Sequence, residues 1–363
     1  MKTSRFLRRY LSALLAAGAI LTLGQGQALA LTNAEIANLK GPDRQKILEE
    51  GAKKEGTVLW YVNLIEATPP LIEGFSKKYP AIKVQHVRDG ATGLLQRIQA
   101  EYQAKNIKVD VYSASTNLSA LKLPLHEPFY SPPMDAYPKE YRLPDGVGVV
   151  FRLGYRAMAY NTKMISKEQA PKDYTDLLQP QFKGKMSWGS SAGSGAPALI
   201  SYWRKRWGEE KTEEFLAQLA KQDIKTVADA GRSVLDQVIA GEYGLTLAAA
   251  TNHIAISIKD GAPVAAVLPP VVHSTSNTTS LVKGAPHPYA AMLFIDFLLS
   301  KDDGQQILKD ITYVPAHPEI IPKEEERWAV PRLNGRQELL ENADEFAAML
   351  KHSKDLYDKY FKN

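Results

Sequence analysis

Apolar runs alternate with segments of helical spacing along most of this chain. Thr57 to Val62 is a compact apolar run and predicts a buried strand. Leu71, Ile72, Phe75 and Tyr79 follow at helical spacing, and Pro80 stops that helix. Ile82 to Val87 predicts the next strand. Asp89 to Gly93 reads as a turn into a helix over Leu94 to Ala104, and Val109 to Tyr112 as a third strand. Strands alternating with helices predict a parallel sheet with right-handed crossovers.

Residues 124–147 are rich in Pro and aromatic residues and read as an irregular wall. Gly148 to Tyr160 is a long apolar stretch, sufficient to run from one unit to another. A second α/β unit follows. Its predicted strands are Lys185 to Trp188, Gly244 to Ala249 and Ala262 to Leu268. Its helices are Pro197 to Trp207, Glu213 to Ala220, Val234 to Ala240 and Thr251 to Lys259. His287 to Leu299 and Gly304 to Lys309 predict further helices. Ala343 to Phe361 predicts an amphipathic one, with Phe346, Met349, Leu350, Leu356 and Tyr357 on one face. The expected fold class is α/β with two lobes, each a mixed, mainly parallel sheet flanked by helices. The expected division is 31–150 for the first lobe, with 269–330 returning to it, 151–268 for the second, and 331–363 as a C-terminal helical segment.

The first thirty residues break this pattern. Lys2, Arg5, Arg8 and Arg9 precede an apolar run from Leu11 to Leu23, and Ala28 to Ala30 offers a small-x-small cleavage site. That order predicts a secretory signal, 1–30, removed after about Ala30. Its apolar run is shorter than the roughly 20 residues of a membrane span. Arg8 and Arg9 hint at a twin-arginine route, although the residues after them fit it poorly. Four of the chain's 45 basic residues and none of its 40 acidic ones lie there, which leaves 41 against 40 in the rest. The high pI of about 9.0 is therefore mostly a property of the signal, and net charge gives no case for nucleic-acid binding. The chain has no Cys, which excludes disulfides, thiolate metal sites and Cys nucleophiles. Leu31 stands where a lipid-anchored exported protein needs a Cys, so the expected address is the periplasm, free of an anchor.

Three segments place Gly and hydroxyl residues before a predicted helix: Gly90 to Gly93, Gly189 to Gly195 and Gly231 to Ser233. A helix start presents unpaired N–H groups and partial positive charge, which suits an anion. Ser and Thr also cap helices as a matter of course. The Gly189 to Gly195 loop carries more Ser and Gly than a cap requires, and is the strongest of the three as a ligand loop. Catalytic constellations are poor. There is no G-x-S-x-G elbow and no phosphate-cradling G-x-x-x-x-G-K-[ST] loop. The seven His residues are scattered without metal-ligand spacing. No enzyme activity, metal or cofactor is expected from these residues.

Several stretches in order resemble the bacterial extracellular solute-binding proteins of ABC importers, in the branch of ferric-iron, phosphonate, sugar-phosphate and thiamine binders. They are Ala157 to Lys163, Ala170 to Leu178 with Phe182 to Lys185, Val238 to Tyr243, Lys283 to Pro288, Ala290 to Ser300 and Gly304 to Ile307. The resemblance implies two α/β lobes, a two-segment hinge, a ligand in the cleft between them and a monomer that docks on an inner-membrane permease. Ferric binders of this family carry two adjacent tyrosines where this chain reads Ala250, Thr251, Asn252 and His253. Neutral donors there fit an oxyanion or polar organic solute better, with ferric iron on a different ligand set as the alternative and a secreted hydrolase as a remote one. Carried over by position, the cleft residues of the first lobe are Asn63, Thr92, Ser113 and Ser115. Those of the second are Ser190, Ser191, Ser194, Ser233, Asn252 and His253. Arg88 and Arg232 are the possible charge partners, and Tyr61, Tyr155 and Trp188 are possible walls.

Overall fold

A computed structural model describes residues 31–115, 124–191, 195–228, 231–340 and 343–362. The expected signal and its cleavage site lie outside them. In chain order the elements are α1 (Asn33–Ala37), α2 (Arg44–Glu55), β1 (Thr57–Val62), α3 (Thr68–Lys78), β2 (Lys83–Arg88), α4 (Ala91–Gln103), β3 (Val111–Ser115), β4 (His126–Glu127) and β5 (Val149–Asn161). Then come β6 (Met186–Gly189), α5 (Ala196–Trp207), α6 (Glu209–Leu219), β7 (Lys225–Val227), α7 (Arg232–Ala240), β8 (Leu245–Ala250), α8 (Thr251–Lys259) and β9 (Val264–Val267). The chain closes with β10 (Val271–Val282), α9 (Pro288–Leu299), α10 (Gln306–Asp310), β11 (Val314–Pro315), β12 (Gln337–Leu340) and α11 (Ala343–Phe361).

The strands run in the order β2-β1-β3-β10-β5-β8-β6-β7. β1 pairs in parallel with β2 and β3, and β6 in parallel with β7 and β8. Two long strands join these parallel groups. β10 is antiparallel to β3 and to β5, and β5 is antiparallel to β8. β5 belongs to both halves. Its Val149 to Tyr155 face β10, and its Arg156 to Tyr160 face β8. The return path runs through Leu268 to Pro270, between β9 and β10. The antiparallel relays set the strand directions. β1 and β3 point their carboxyl ends towards the second half, while β6, β7 and β8 point theirs back at the first. In α/β sheets the carboxyl ends are where ligands sit.

Each half has its own core. In the first, Trp60 packs edge-on against Phe294, and Phe75 does the same, both at 5.0 Å between ring centres. These rings sit under α9, a helix apolar on nearly every side and buried from Ala290 to Leu299 save Asp296. In the second half Trp188, Trp203, Tyr174 and Leu199 form the centre. The C-terminal segment is not purely helical. β12 pairs with β10 over Val271 to Ser274, and α11 then packs on α5 of the second half, with Leu356 and Tyr357 buried. Among the described residues no helix is long and apolar enough to cross a membrane.

Candidate functional site

The facing carboxyl ends leave a cleft of about 580 Å³. Its floor is the pair of strands that join the halves. A strand turns successive side chains to opposite faces, so Arg152, Gly154 and Arg156 of β5 share the cleft side, while Leu153 faces the core. On the partner strand, Asn277 and Thr275 stand opposite Arg152 and Gly154. The walls come from the carboxyl ends: Asn63 to Glu66 after β1, Gly231 to Ser233 at the start of α7, and Ala250, Asn252 and His253 at the start of α8. Two helix N-termini therefore face the cleft with their partial positive charge.

Arg152 is held without a carboxylate bond. Its Nη1 donates to Asn277 Oδ1 at 2.7 Å, and its guanidinium lies 4.7 Å from the centre of the Tyr313 ring. Its Nε is buried and makes no hydrogen bond. Burial, helped by the neighbouring Arg156 charge, pushes the guanidinium's pKa down against the opposing pull of Tyr313 and Glu66. Gly154 makes room for this side chain. A Cβ there would stand 2.7 Å from Thr275 Oγ1, 3.2 Å from Arg152 Nη1 and 3.4 Å from its Nη2.

The carboxylates at the cleft are engaged. Glu66 Oε1 lies 3.4 Å from His253 Nε2, and Glu66 Oε2 accepts from the Tyr313 hydroxyl at 2.5 Å. These donors, His253 first, hold the Glu66 carboxyl down at about 2 against the opposing effect of burial. Burial and the neighbouring Glu66 keep the Tyr313 hydroxyl protonated by pushing its pKa up, so it acts as a donor. Asp236 is paired with Arg232 Nε at 2.8 Å. Donor capacity is left over on the α8 side. Asn252 is buried, and its Nδ2 makes no hydrogen bond.

A sequence profile of the bacterial extracellular solute-binding proteins matches residues 71–331. The chain belongs to that family. A Salmonella typhi relative, provisionally named a 2-aminoethylphosphonate-binding periplasmic protein, is 23% identical over 210 residues. That match covers 54% of this chain and 60% of the relative's length. Two solved structures share the fold. The periplasmic binding protein AfuA of Actinobacillus pleuropneumoniae, with fructose-6-phosphate bound, superposes with a TM-score of 0.67 at 20% identity, over 85% of this chain and 99% of its own. A ferric binding protein from Campylobacter jejuni gives 0.69 at 20% identity, over 84% and 99%.

In this solute-binding protein, Asn63, Ser233, Asn252, His253 and Arg232 all line the cleft, together with Tyr155. Ser113 does not; it is buried in β3, with its Oγ donating to Thr279 Oγ1 at 2.9 Å. Arg88 is exposed at the end of β2, at the far edge of the sheet. Ser190 and Ser191 follow β6 but are not among the described residues that line the cleft. One glycine of that loop has a packing reason: a Cβ on Gly195 would lie 2.3 Å from the Gly189 carbonyl oxygen. Ser194 lies outside the described residues. Of Thr92 and Ser115 only the backbone is described, at the start of α4 and the end of β3. Tyr61 packs under Arg97, and Trp188 lies in the second core.

Arg152, Arg156, Asn277, Thr275, Glu66 and Tyr313 also line the cleft and are not among the residues the sequence pattern singled out. The alternation Phe151, Arg152, Leu153, Gly154, Tyr155, Arg156 carried a signal for the first two. A strand of period two puts both arginines on one face. Glu66 and Tyr313 meet from positions 247 apart and have no local signal.

Proposed function

We propose that this protein captures a small organic anion, of carboxylate, phosphonate or sugar-phosphate type, in the cleft between its lobes. The carrying observation is Arg152, a guanidinium on the cleft floor whose hydrogen bond goes to a neutral amide and not to a carboxylate. The N-termini of α7 and α8 and the unpartnered Asn252 Nδ2 add donors to the opposite wall. The names of the relatives, phosphonate and fructose-6-phosphate binders among them, lie within this class. The tyrosines at the cleft favour it over ferric iron. Tyr313 and Tyr155 are protonated donors to Glu66 and Glu338, whereas a ferric site draws on tyrosinate oxygen.

Closure would be a hinge motion at Tyr155 to Arg156 and at Leu268 to Pro270, where the chain passes between the halves. The closed monomer then delivers its solute in the periplasm to the permease of an ABC importer. Native mass spectrometry of the gently purified protein, repeated after titration with Fe³⁺, tests the cargo. The expected result is an organic adduct of a few hundred daltons or less, lost on unfolding, with no iron retained. A stoichiometric iron adduct with a visible tyrosinate charge-transfer band overturns the reading.

A further inference from the structure

The floor of the cleft contains a chain of three side chains from three separate elements. Asn63, just after β1, accepts through Oδ1 from Asn277 Nδ2 at 2.6 Å. Asn277, on β10, accepts through Oδ1 from Arg152 Nη1 at 2.7 Å. Asn277 is only 3% exposed, so both ends of its amide are committed inside the protein. The strand pairing breaks beside it: Asn277 stands opposite Arg152, but the next residue, Thr278, stands opposite Val150. Such a bulge re-aims side chains, and here it sits at the pair in question.

A buried cation is ordinarily paired with a carboxylate, because removing it from water is unfavourable. Arg152, half-buried, is instead clamped by an amide and covered by the Tyr313 ring face; the Glu66 carboxylate acts on it through space and forms no ion pair with it. An amide fixes the fork in direction but leaves its charge uncancelled. We propose that Asn277 is a positioning and specificity residue: buttressed by Asn63, it orients the Arg152 guanidinium over Gly154 without neutralising it, keeping the charge for the solute's anionic group. This rests on the anion-capture reading above.

The substitutions Asn277→Asp and Asn277→Ala separate this role from a merely structural one. Asp is nearly the same shape and keeps the acceptor for Arg152, losing only the donor to Asn63, whereas Ala loses both bonds, so a merely structural role predicts that Ala is the worse variant. The proposal predicts the reverse order in affinity, because the introduced carboxylate cancels the charge offered to the solute. Calorimetry at pH 7.5 with inorganic phosphate, 2-aminoethylphosphonate, fructose 6-phosphate and citrate, on the full mature chain, provides the readout.

For any of these that the wild type binds, Asn277→Asp should weaken binding at least tenfold, and more than Asn277→Ala. Adding Arg152→Met to Asn277→Asp should then lower affinity little further. If Asn277→Asp does not fold, Asn63→Asp keeps the acceptor for Asn277 and adds the same charge one side chain away; it should weaken binding severalfold. Wild-type affinity in Asn277→Asp, or a greater loss in Asn277→Ala, overturns the proposal while leaving anion capture standing. Failure of the wild type to bind any of the four overturns anion capture itself.

Discussion

Glu66 and His253 meet across the cleft at 3.4 Å, Glu66 from the loop after β1 and His253 from the first turn of α8. The two residues belong to opposite halves, so the contact joins the lobes across the cleft they line. Glu66 is ionised over the whole neutral range, since its carboxyl is held down at about 2. An unfolded Glu titrates near 4.3. The stabilisation from this contact is therefore complete above about pH 4.5 and is lost as the pH falls towards 2. Thermal melts of wild type and Glu66→Gln should differ most at neutral pH and converge as the pH approaches 2. A gap that widens on acidification contradicts this assignment.

His126 sets a second, milder acid limb. It is buried in β4, neither ring nitrogen has a partner, and burial pushes its pKa down to about 4. The unfolded chain takes up this proton from about pH 6.5, whereas the folded one resists until about 4. Protonation thus favours the unfolded state, and stability falls as the pH drops between those values. The loss should approach about 3 kcal/mol at the lower end, at 1.36 kcal/mol per unit. His126→Phe should flatten the melting temperature between pH 6.5 and 4. A profile as steep as that of the wild type would place the acid sensitivity elsewhere.

Gly154 leaves little space on the floor for a side chain. A methyl group there would stand 2.7 Å from Thr275 Oγ1, too close, and 3.2 Å from Arg152 Nη1, which would have to give by a few tenths of an ångström. Gly154→Ala should displace that fork, lowering solute affinity at least tenfold. Overpacking of this kind is also expected to lower stability by about 1–3 kcal/mol. Calorimetry paired with a denaturant curve separates the two effects. Full affinity in a folded Gly154→Ala would show that Arg152 need not lie over this position.

Arg44 and Asp296 give a contrasting case, a buried ion pair remote in role from the solute. Arg44 is 4% exposed, binds both carboxylate oxygens of Asp296 and donates to the carbonyls of Leu39 and Tyr130. Asp296 also accepts from Ser131 at 2.6 Å. The network ties α2 and the segment after β4 to α9. Removing one partner of such a pair leaves a buried charge, so Arg44→Ala should lower stability by about 3–5 kcal/mol. The folded fraction should bind solute as the wild type does, and a changed dissociation constant would contradict that separation.

The fold was legible where burial follows hydrophobicity. β1 and α8 fall on Thr57 to Val62 and Thr251 to Lys259, as the apolar pattern predicts, and α11 on Ala343 to Phe361. The central strand β10 was not legible. Most of its 12 residues are Ser, Thr, Asn or His, and it carries no apolar run beyond its ends. It is buried all the same, because neighbours satisfy its side chains: Thr279 binds Ser113, Thr275 donates to the Gly154 carbonyl, and Asn277 binds Asn63 and Arg152. Half the cleft floor was hidden with it. The wall residues Asn63, Ser233, Asn252 and His253 were readable because they stand where a strand ends or a helix begins. Arg152 and Arg156 were obscured inside a stretch whose other residues are mostly apolar.

Arg152 is the residue on which capture of an organic anion in the cleft depends. Isothermal titration of the mature protein and of Arg152→Met, side by side, with phosphate, phosphonate, sugar-phosphate and carboxylate solutes tests it most directly. The expected result is a one-to-one complex of the wild type with at least one of these anions. Binding should weaken at least a hundredfold in Arg152→Met, whose melting curve should stay cooperative. Equal affinity in the two proteins, or tight binding of Fe³⁺ with none of the anions, would contradict it.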